Sequence, residues 1–319
     1  MDEIKTVSIV VPCYNEQETV ELFFNEIKKV FSGEILKELR YNILYINDGS
    51  TDQTLNIMKK LKSESDIVNY ISFSRNFGKE AAIYAGLEKA EGDYIALMDA
   101  DLQDPPGMLE DMYLAIKNEG YDCVATKRFS RKGEPLIRSY FAGIFYRLIN
   151  LISKTEVVNG ARDFRLMTKQ MVDSILSLRE YNRFSKGLFG WVGYDVKWLA
   201  YENVERAAGQ TKWSFWGLFI YALDGILAFS VVPLALSSFL GVFISFVSVL
   251  VIIAIGLRTI FLGDPVSGWP SMASLVSFIG GLQLLSLGII GQYLAKIYME
   301  TKNRPIYIIK ETSLKNMDK

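Results

Sequence analysis

Two carboxylates two residues apart, Asp99 and Asp101, followed by the amide of Gln103, stand at the end of the short apolar run Tyr94-Ile-Ala-Leu-Met98. That run has the mark of a fully buried strand, and Pro105-Pro106 blocks its continuation. In an extended chain residues i and i+2 point the same way, so Asp99, Asp101 and Gln103 converge beyond the strand end. Convergent oxygens suit a hard cation, Mg²⁺ or Mn²⁺, that shares its remaining positions with phosphate and water. Taken alone, Asp-x-Asp favours an acidic, solvated turn. The rest of the chain shifts that balance.

The 319 residues include no histidine, which removes His-based acid–base catalysis, Ser-His-Asp triads and His-ligated zinc together. Cys13 and Cys123 are too few for a disulfide framework or a Cys-rich metal site. Any metal must be held by oxygen. The net charge of -1 argues against a nucleic-acid partner. Hydrophobic residues make up 50% and charged ones 22%, near the soluble average. The mean hydropathy of +0.16 is nevertheless high, so the apolar residues are unevenly placed. The first apolar run, Val7 to Val11, is too short for a signal-peptide core or a membrane span, and the chain is expected to begin in the cytosol.

The elements that must position the acidic motif follow a βα alternation. Strands are expected at Val7–Val11, Tyr41–Ile46, Val68–Phe73, Asp93–Met98 and Cys123–Thr126. Helices are expected at Gln17–Phe31, from an N-cap at Ser50, Thr51 or Asp52 to about Lys62, at Glu80–Ala90 and from about Gly107 to Asn118. Asn47-Asp-Gly49 could be a hairpin turn, but the helical pattern after it argues for a strand-to-helix loop. The alternation predicts an α/β fold with a doubly wound, mostly parallel sheet. Ligands of such sheets lie outside the carboxyl ends of the strands. Pro12–Glu16, Asp48, Arg75–Lys79 and Asp99–Gln103 all fall there.

Beyond Thr126 the pattern is less regular. Lys127, Arg128, Arg131, Lys132 and Arg138 form a basic cluster, either a solvated loop or, beside a phosphate site, an anion-binding one. Residues 140–152 and 212–224 are rich in large apolar and aromatic residues, as membrane-surface helices are; buried core helices are the competing reading. No charge occurs from Gly225 to Leu257 or from Pro265 to Ala295, and each run exceeds the roughly 20 residues that cross a bilayer. Two transmembrane helices are expected. Lys212 precedes them and Lys296, Lys302, Arg304 and Lys310 follow, so the positive-inside rule puts both termini in the cytoplasm of a multi-pass inner-membrane protein. The expected division is 1–224, a catalytic domain with surface helices; 225–298, a two-helix anchor; and 299–319, a cytosolic tail with a short strand at Asn303–Ile309. Gly280-Gly281, Gly288 and Gly291 would permit close helix packing and a homo-oligomer.

Val11-Pro-Cys-Tyr-Asn-Glu16, Asn47-Asp-Gly-Ser-Thr-Asp52, Ser74-Arg-Asn-Phe-Gly-Lys79 and Asp99-Ala-Asp-Leu-Gln-Asp-Pro-Pro106 resemble the ordered motifs of family 2 glycosyltransferases with the GT-A fold. Asp163-Phe-Arg-Leu-Met167, Arg183-Phe184, Trp191-Val-Gly-Tyr194 and Gly209-Gln-Thr-Lys-Trp213, with two C-terminal spans, are similar to the polyprenyl-phosphate members, bactoprenol glucosyltransferases and dolichol-phosphate mannose synthase among them. The resemblance covers the chain to about residue 310. It implies that Pro12, Tyr14, Glu16 and Asp48 line a nucleoside pocket with Lys79 nearby, and that Asp99, Asp101 and Gln103 hold the metal and donor diphosphate. Asp163 matches an acidic position facing the acceptor, and Arg128 and Arg138 match acceptor-phosphate ligands. Many relatives carry Gly where this chain has Arg162.

The resemblance thus implies an inverting transfer of glucose or N-acetylglucosamine from a UDP-sugar to undecaprenyl phosphate at the membrane, for cell-envelope glycan modification. Three other readings stand beside it. A processive polysaccharide synthase normally has more spans and a Gln-x-x-Arg-Trp signature, against which Gln210-Thr-Lys-Trp213 is one residue short. A non-catalytic nucleotide-sugar-binding scaffold is a second. A transporter or flippase is the third, and two charge-free spans offer it no polar pathway.

Overall fold

The computed structural model describes residues 4–128, 158, 160–201, 230, 232–262 and 268–315. The basic cluster from Arg131 onward, Arg138, the segments 140–152 and 212–224, Gly209–Trp213 and residues 263–267 lie outside the described residues.

The first half follows the expected alternation: β1 (Thr6–Cys13), α1 (Val20–Val30), β2 (Arg40–Asn47), α2 (Thr54–Glu64), β3 (Val68–Phe73), α3 (Lys79–Lys89), β4 (Tyr94–Leu97), α4 (Met108–Glu119) and β5 (Cys123–Arg128). β1 lies between β4 and β2, parallel to both, and β2 is parallel to β3. Such a central strand is covered on both faces, which is why Val7, Ile9, Val10 and Val11 are all at most 2% exposed. One apolar layer joins α1, α2 and α4 to the sheet through Phe23, Met58 and Met112. The other seats α3 through Ala82 and Ile83, so the sheet is doubly wound. At Gly86 α3 approaches β1 so closely that an added Cβ would stand 2.1 Å from Val10 Cγ1.

The second half departs from expectation. β6 (Ala161–Thr168) inserts antiparallel between β4 and β5, α5 (Lys169–Ser177) and α6 (Ser185–Trp191) follow, and β7 (Val196–Tyr201) lies parallel to β5. The order is β7-β5-β6-β4-β1-β2-β3-β8. The sheet is therefore mixed, with β8 (Ile309–Thr312) closing the far edge antiparallel to β3. The tail strand starts only at Ile309, the last residue of the expected Asn303–Ile309, because a turn that includes the left-handed Asn303 (φ 47°) comes first.

Two long helices, α7 (Val232–Leu262) and α8 (Trp269–Thr301), pack against each other. Phe278–Thr301 is long and apolar enough to cross a membrane; within α7 a shorter apolar stretch, Val232–Ile244, was found among the described residues. Apart from Ile4, Tyr14, Leu22, Trp191 and Ile308, every large apolar side chain exposed among the described residues lies on α7 or α8. An added Cβ at Gly280, Gly281, Gly288 or Gly291 would meet nothing within 4 Å, so α7 does not require these glycines.

Candidate active site at the carboxyl edge of the sheet

β1, β2, β3 and β4 run parallel, so the loops after Cys13, Asn47, Phe73 and Leu97 share one edge. The first two are laced together. Asn15, left-handed at φ 53°, donates its backbone N–H to Ser50 Oγ (2.9 Å), while its Oδ1 accepts from Thr51 N (2.8 Å). Thr54 Oγ1 accepts from Glu16 N at 2.8 Å. Pro12 is half-buried within β1, Glu16 is half-buried in the loop, and Tyr14 presents an exposed ring.

Asp48 is buried and accepts from the backbone N–H groups of Phe77 (2.6 Å) and Gly78 (2.9 Å). Burial pushes its carboxyl up and the two amides pull it back; the net shift is upward. Asp48 thus fixes the loop that delivers Lys79. Gly49 (φ 65°) permits this approach, because an added Cβ there would lie 2.4 Å from the carbonyl carbon of Arg75.

Lys79, the first residue of α3, joins the two halves of the site. Its Nζ lies 2.7 Å from Asp99 Oδ1 and 2.6 Å from Asp163 Oδ2. The antiparallel pairing of Leu97 with Arg165 across β4 and β6 explains this, since Asp99 stands two residues after Leu97, just past the end of β4, and Asp163 two residues before Arg165 on β6. Burial opposes the Lys79 charge, but Asp163 and Asp99 outweigh it and hold the ammonium above its ordinary range. Burial likewise opposes the Asp163 charge, and Lys79 and Lys186 overcome it, holding the carboxyl well below the usual carboxylate range. Beside Lys79, half-buried Glu80 accepts from Ser185 N (3.0 Å) and from the Ser185 hydroxyl.

The acidic loop does not continue the strand. β4 ends at Leu97, residues 100 and 101 form a turn, and Leu102 is left-handed at φ 55°. The expected alternation of Asp99, Asp101 and Gln103 in one extended line is therefore corrected. A left-handed leucine costs about 1–2 kcal/mol, strain of the kind that collects at functional sites. Asp101, 7% exposed, accepts from Gln103 N at 3.2 Å.

Among the described residues no three His, Cys, Asp or Glu side chains are gathered to hold a metal. The donor chemistry of Asp99 and Asp101 still fits a hard divalent ion, which commonly takes one or two carboxylates and completes its shell with phosphate and water. Gln103 fits less well, because its Oε1 faces Arg128 Nη2 (3.3 Å) and Arg162 Nη2 (3.4 Å).

Those arginines belong to a cluster that the sequence reading met only in part, with Arg128 as an acceptor-phosphate ligand and Arg162 as a departure from relatives. Arg128 ends β5, and Arg162 stands on β6. Arg162 Nε donates to Asp104 Oδ1 at 2.9 Å, and the Tyr201 hydroxyl donates to the same oxygen. Burial and Asp104 push the Tyr201 phenol up to about 12. Burial works against the Arg162 charge, but Asp104 and Asp99 raise it overall. Sequence reasoning missed Tyr201, Ser185 and the Asp104 anchor; the only signal was Arg162 itself.

Residues 8–176 match the family described as glycosyl transferase family 2. The chain is 46% identical over 312 residues, 98% of its length and 93% of the relative's, to the glycosyltransferase CsbB of Bacillus subtilis (strain 168). It is 39% identical over 308 residues, 95% of its length and 98% of the relative's, to the bactoprenol glucosyl transferase of Shigella phage SfX. Among solved structures, mannosyl-3-phosphoglycerate synthase from Rubrobacter xylanophilus gives a loose superposition, with TM-score 0.47 and 18% identity over 70% of this chain and 72% of that one.

Proposed function

This chain belongs to glycosyl transferase family 2, and from that premise we propose that it moves a sugar from a UDP-sugar to a polyprenyl phosphate, undecaprenyl phosphate in a bacterial membrane, with inversion at the anomeric carbon. The observation that carries the reading is the union in one chain of a charged edge built around Lys79 with α7 and α8, whose exposed apolar side chains need lipid or a partner to cover them. Full-length similarity to a protein named bactoprenol glucosyl transferase supports the acceptor.

In this reading the nucleoside lies against Pro12, Tyr14 and Glu16, where an exposed tyrosine ring suits a base, and Asp48 acts by fixing the loop before Lys79. Asp99 and Asp101 are the residues that would hold Mg²⁺ or Mn²⁺, which when bound neutralises charge on the departing diphosphate as a Lewis acid. Arg128 and, outside the described residues, Arg138 hold the lipid phosphate. A phosphate oxygen attacks the anomeric carbon as the bond to the UDP oxygen breaks, and the bonding pair leaves with UDP. A phosphate monoester loses its second proton near pH ~6, so the attacking group needs no general base at neutral pH. Asp163, held ionised by Lys79, is a poor proton acceptor and serves instead to fix Lys79 between donor and acceptor.

The membrane reading takes α7 and α8 as two spans with a short external turn, the catalytic domain (1–224) and both termini cytoplasmic, and a homo-oligomer through the small residues of α8. Incubating membranes that contain the protein with a panel of labelled nucleotide sugars tests the function. One sugar, glucose or N-acetylglucosamine, should enter the lipid extract in acid-labile form. Label that enters only polymer would favour a processive synthase.

A further inference from the structure

The shared grip of Arg128 and Arg162 on Gln103 has no role in the reaction so far described. Two guanidinium groups drawn to one neutral oxygen, at 3.3 and 3.4 Å, repel each other, and a doubly charged anion between them removes that cost. Arg162 is prepared for such a ligand. Asp104, with a side chain 2% exposed, takes the Nε edge of Arg162 and is itself braced by the Tyr201 hydroxyl, which sets the plane of the guanidinium. Its Nη2, part of the edge that offers donors to phosphate oxygens, reaches the same Gln103 Oε1 that Arg128 Nη2 meets.

Position selects the ligand. The loops read as the nucleoside pocket follow β1, β2 and β3, on one side of β4. Arg128 and Arg162 stand on β5 and β6, on the other side, with the acidic loop after β4 between the two groups.

We propose that Arg162 is a substrate-binding residue that completes, with Arg128, a two-guanidinium clamp for the terminal phosphate of the lipid acceptor, aligned by Asp104 and Tyr201. The proposal rests on the acceptor reading above and adds the residue that makes the site selective for a dianionic monophosphate.

The test is equilibrium binding, without turnover, to the full-length detergent-solubilised protein. Three probes are titrated separately: a short-chain polyprenyl phosphate, the matching polyprenol and UDP. Arg162→Gly should weaken the phosphate tenfold or more, leave UDP within twofold and leave the polyprenol unchanged. Arg162→Lys, which keeps the charge but not the fork, should fall between wild type and Arg162→Gly for the phosphate and keep UDP at the wild-type value. Equal loss of UDP and lipid phosphate in both variants would reduce Arg162 to a structural brace and overturn the clamp. So would an unchanged phosphate affinity in Arg162→Gly. If wild-type protein binds polyprenol as tightly as its phosphate, the acceptor reading itself fails and the clamp falls with it.

Discussion

Lys79 decides which protons are in play. Because the folded-state pKa of Asp163 is depressed, the pair's contribution to stability is present above the ordinary carboxylate range, near pH ~4, and is lost only as pH falls through the lower folded value. Asp163 therefore stays ionised throughout the working range. The acid limb of kcat/KM for the lipid should come from the acceptor phosphate, breaking near pH ~6 and falling tenfold per unit below it. A pH–rate profile in wild type and Asp163→Asn checks this: both should break at the same pH, although the variant's absolute rate falls. A break that disappears with Asp163 would make that residue the base. The residues of this centre were legible, since Asp99, Asp101, Lys79 and Asp163 sit in recognisable short motifs. Their partners were not. Glu80 meets Ser185 and Asp104 meets Tyr201 across about a hundred residues, where no local period carries a signal.

At the scale of elements, buried parallel strands announce themselves, and β1 to β5 fall where continuous apolar runs predict them. β6 was hidden because the charged Arg162, Asp163 and Arg165 interrupt its apolar residues, and Arg165 is itself buried beside Phe164 and Leu166, so the sequence shows neither an apolar run nor a clean alternation. Asp99, Asp101 and Gln103 do not share one extended line for a local reason, the turn at residues 100 and 101 followed by the left-handed Leu102. The seat of α3 is the element contact on which Lys79 depends. Gly86→Ala would place a methyl 2.1 Å from Val10 Cγ1, so α3 must shift or Val10 must give way. Overpacking of this kind costs about 1–3 kcal/mol. Denaturant unfolding should show that loss, and turnover should fall with it because α3 carries Lys79. Unchanged stability together with unchanged turnover would mean that α3 does not set the lysine.

The whole molecule joins an α/β domain to apolar helices, and its native thiols make the arrangement testable. Cys13 and Cys123 are at most 2% exposed, and burial pushes the Cys123 thiol up to about 11, so both should resist labelling while the protein is folded. An impermeant thiol reagent applied to intact cells should label Ser267→Cys but not Lys315→Cys, which should react only after permeabilisation. Ser313 is a poorer control, because its Oγ accepts from Tyr70 N at 2.8 Å. The reverse labelling pattern would put the active site on the wrong side for cytosolic nucleotide sugars. The most direct measurement of the central claim supplies purified full-length protein with labelled UDP-glucose or UDP-N-acetylglucosamine and Mg²⁺, with and without undecaprenyl phosphate. An acid-labile lipid-linked monosaccharide that forms only when the lipid phosphate is present, and is largely lost in Asp101→Asn, is the predicted result. Label that reaches only protein, water or a growing polysaccharide, and never the lipid, would contradict it.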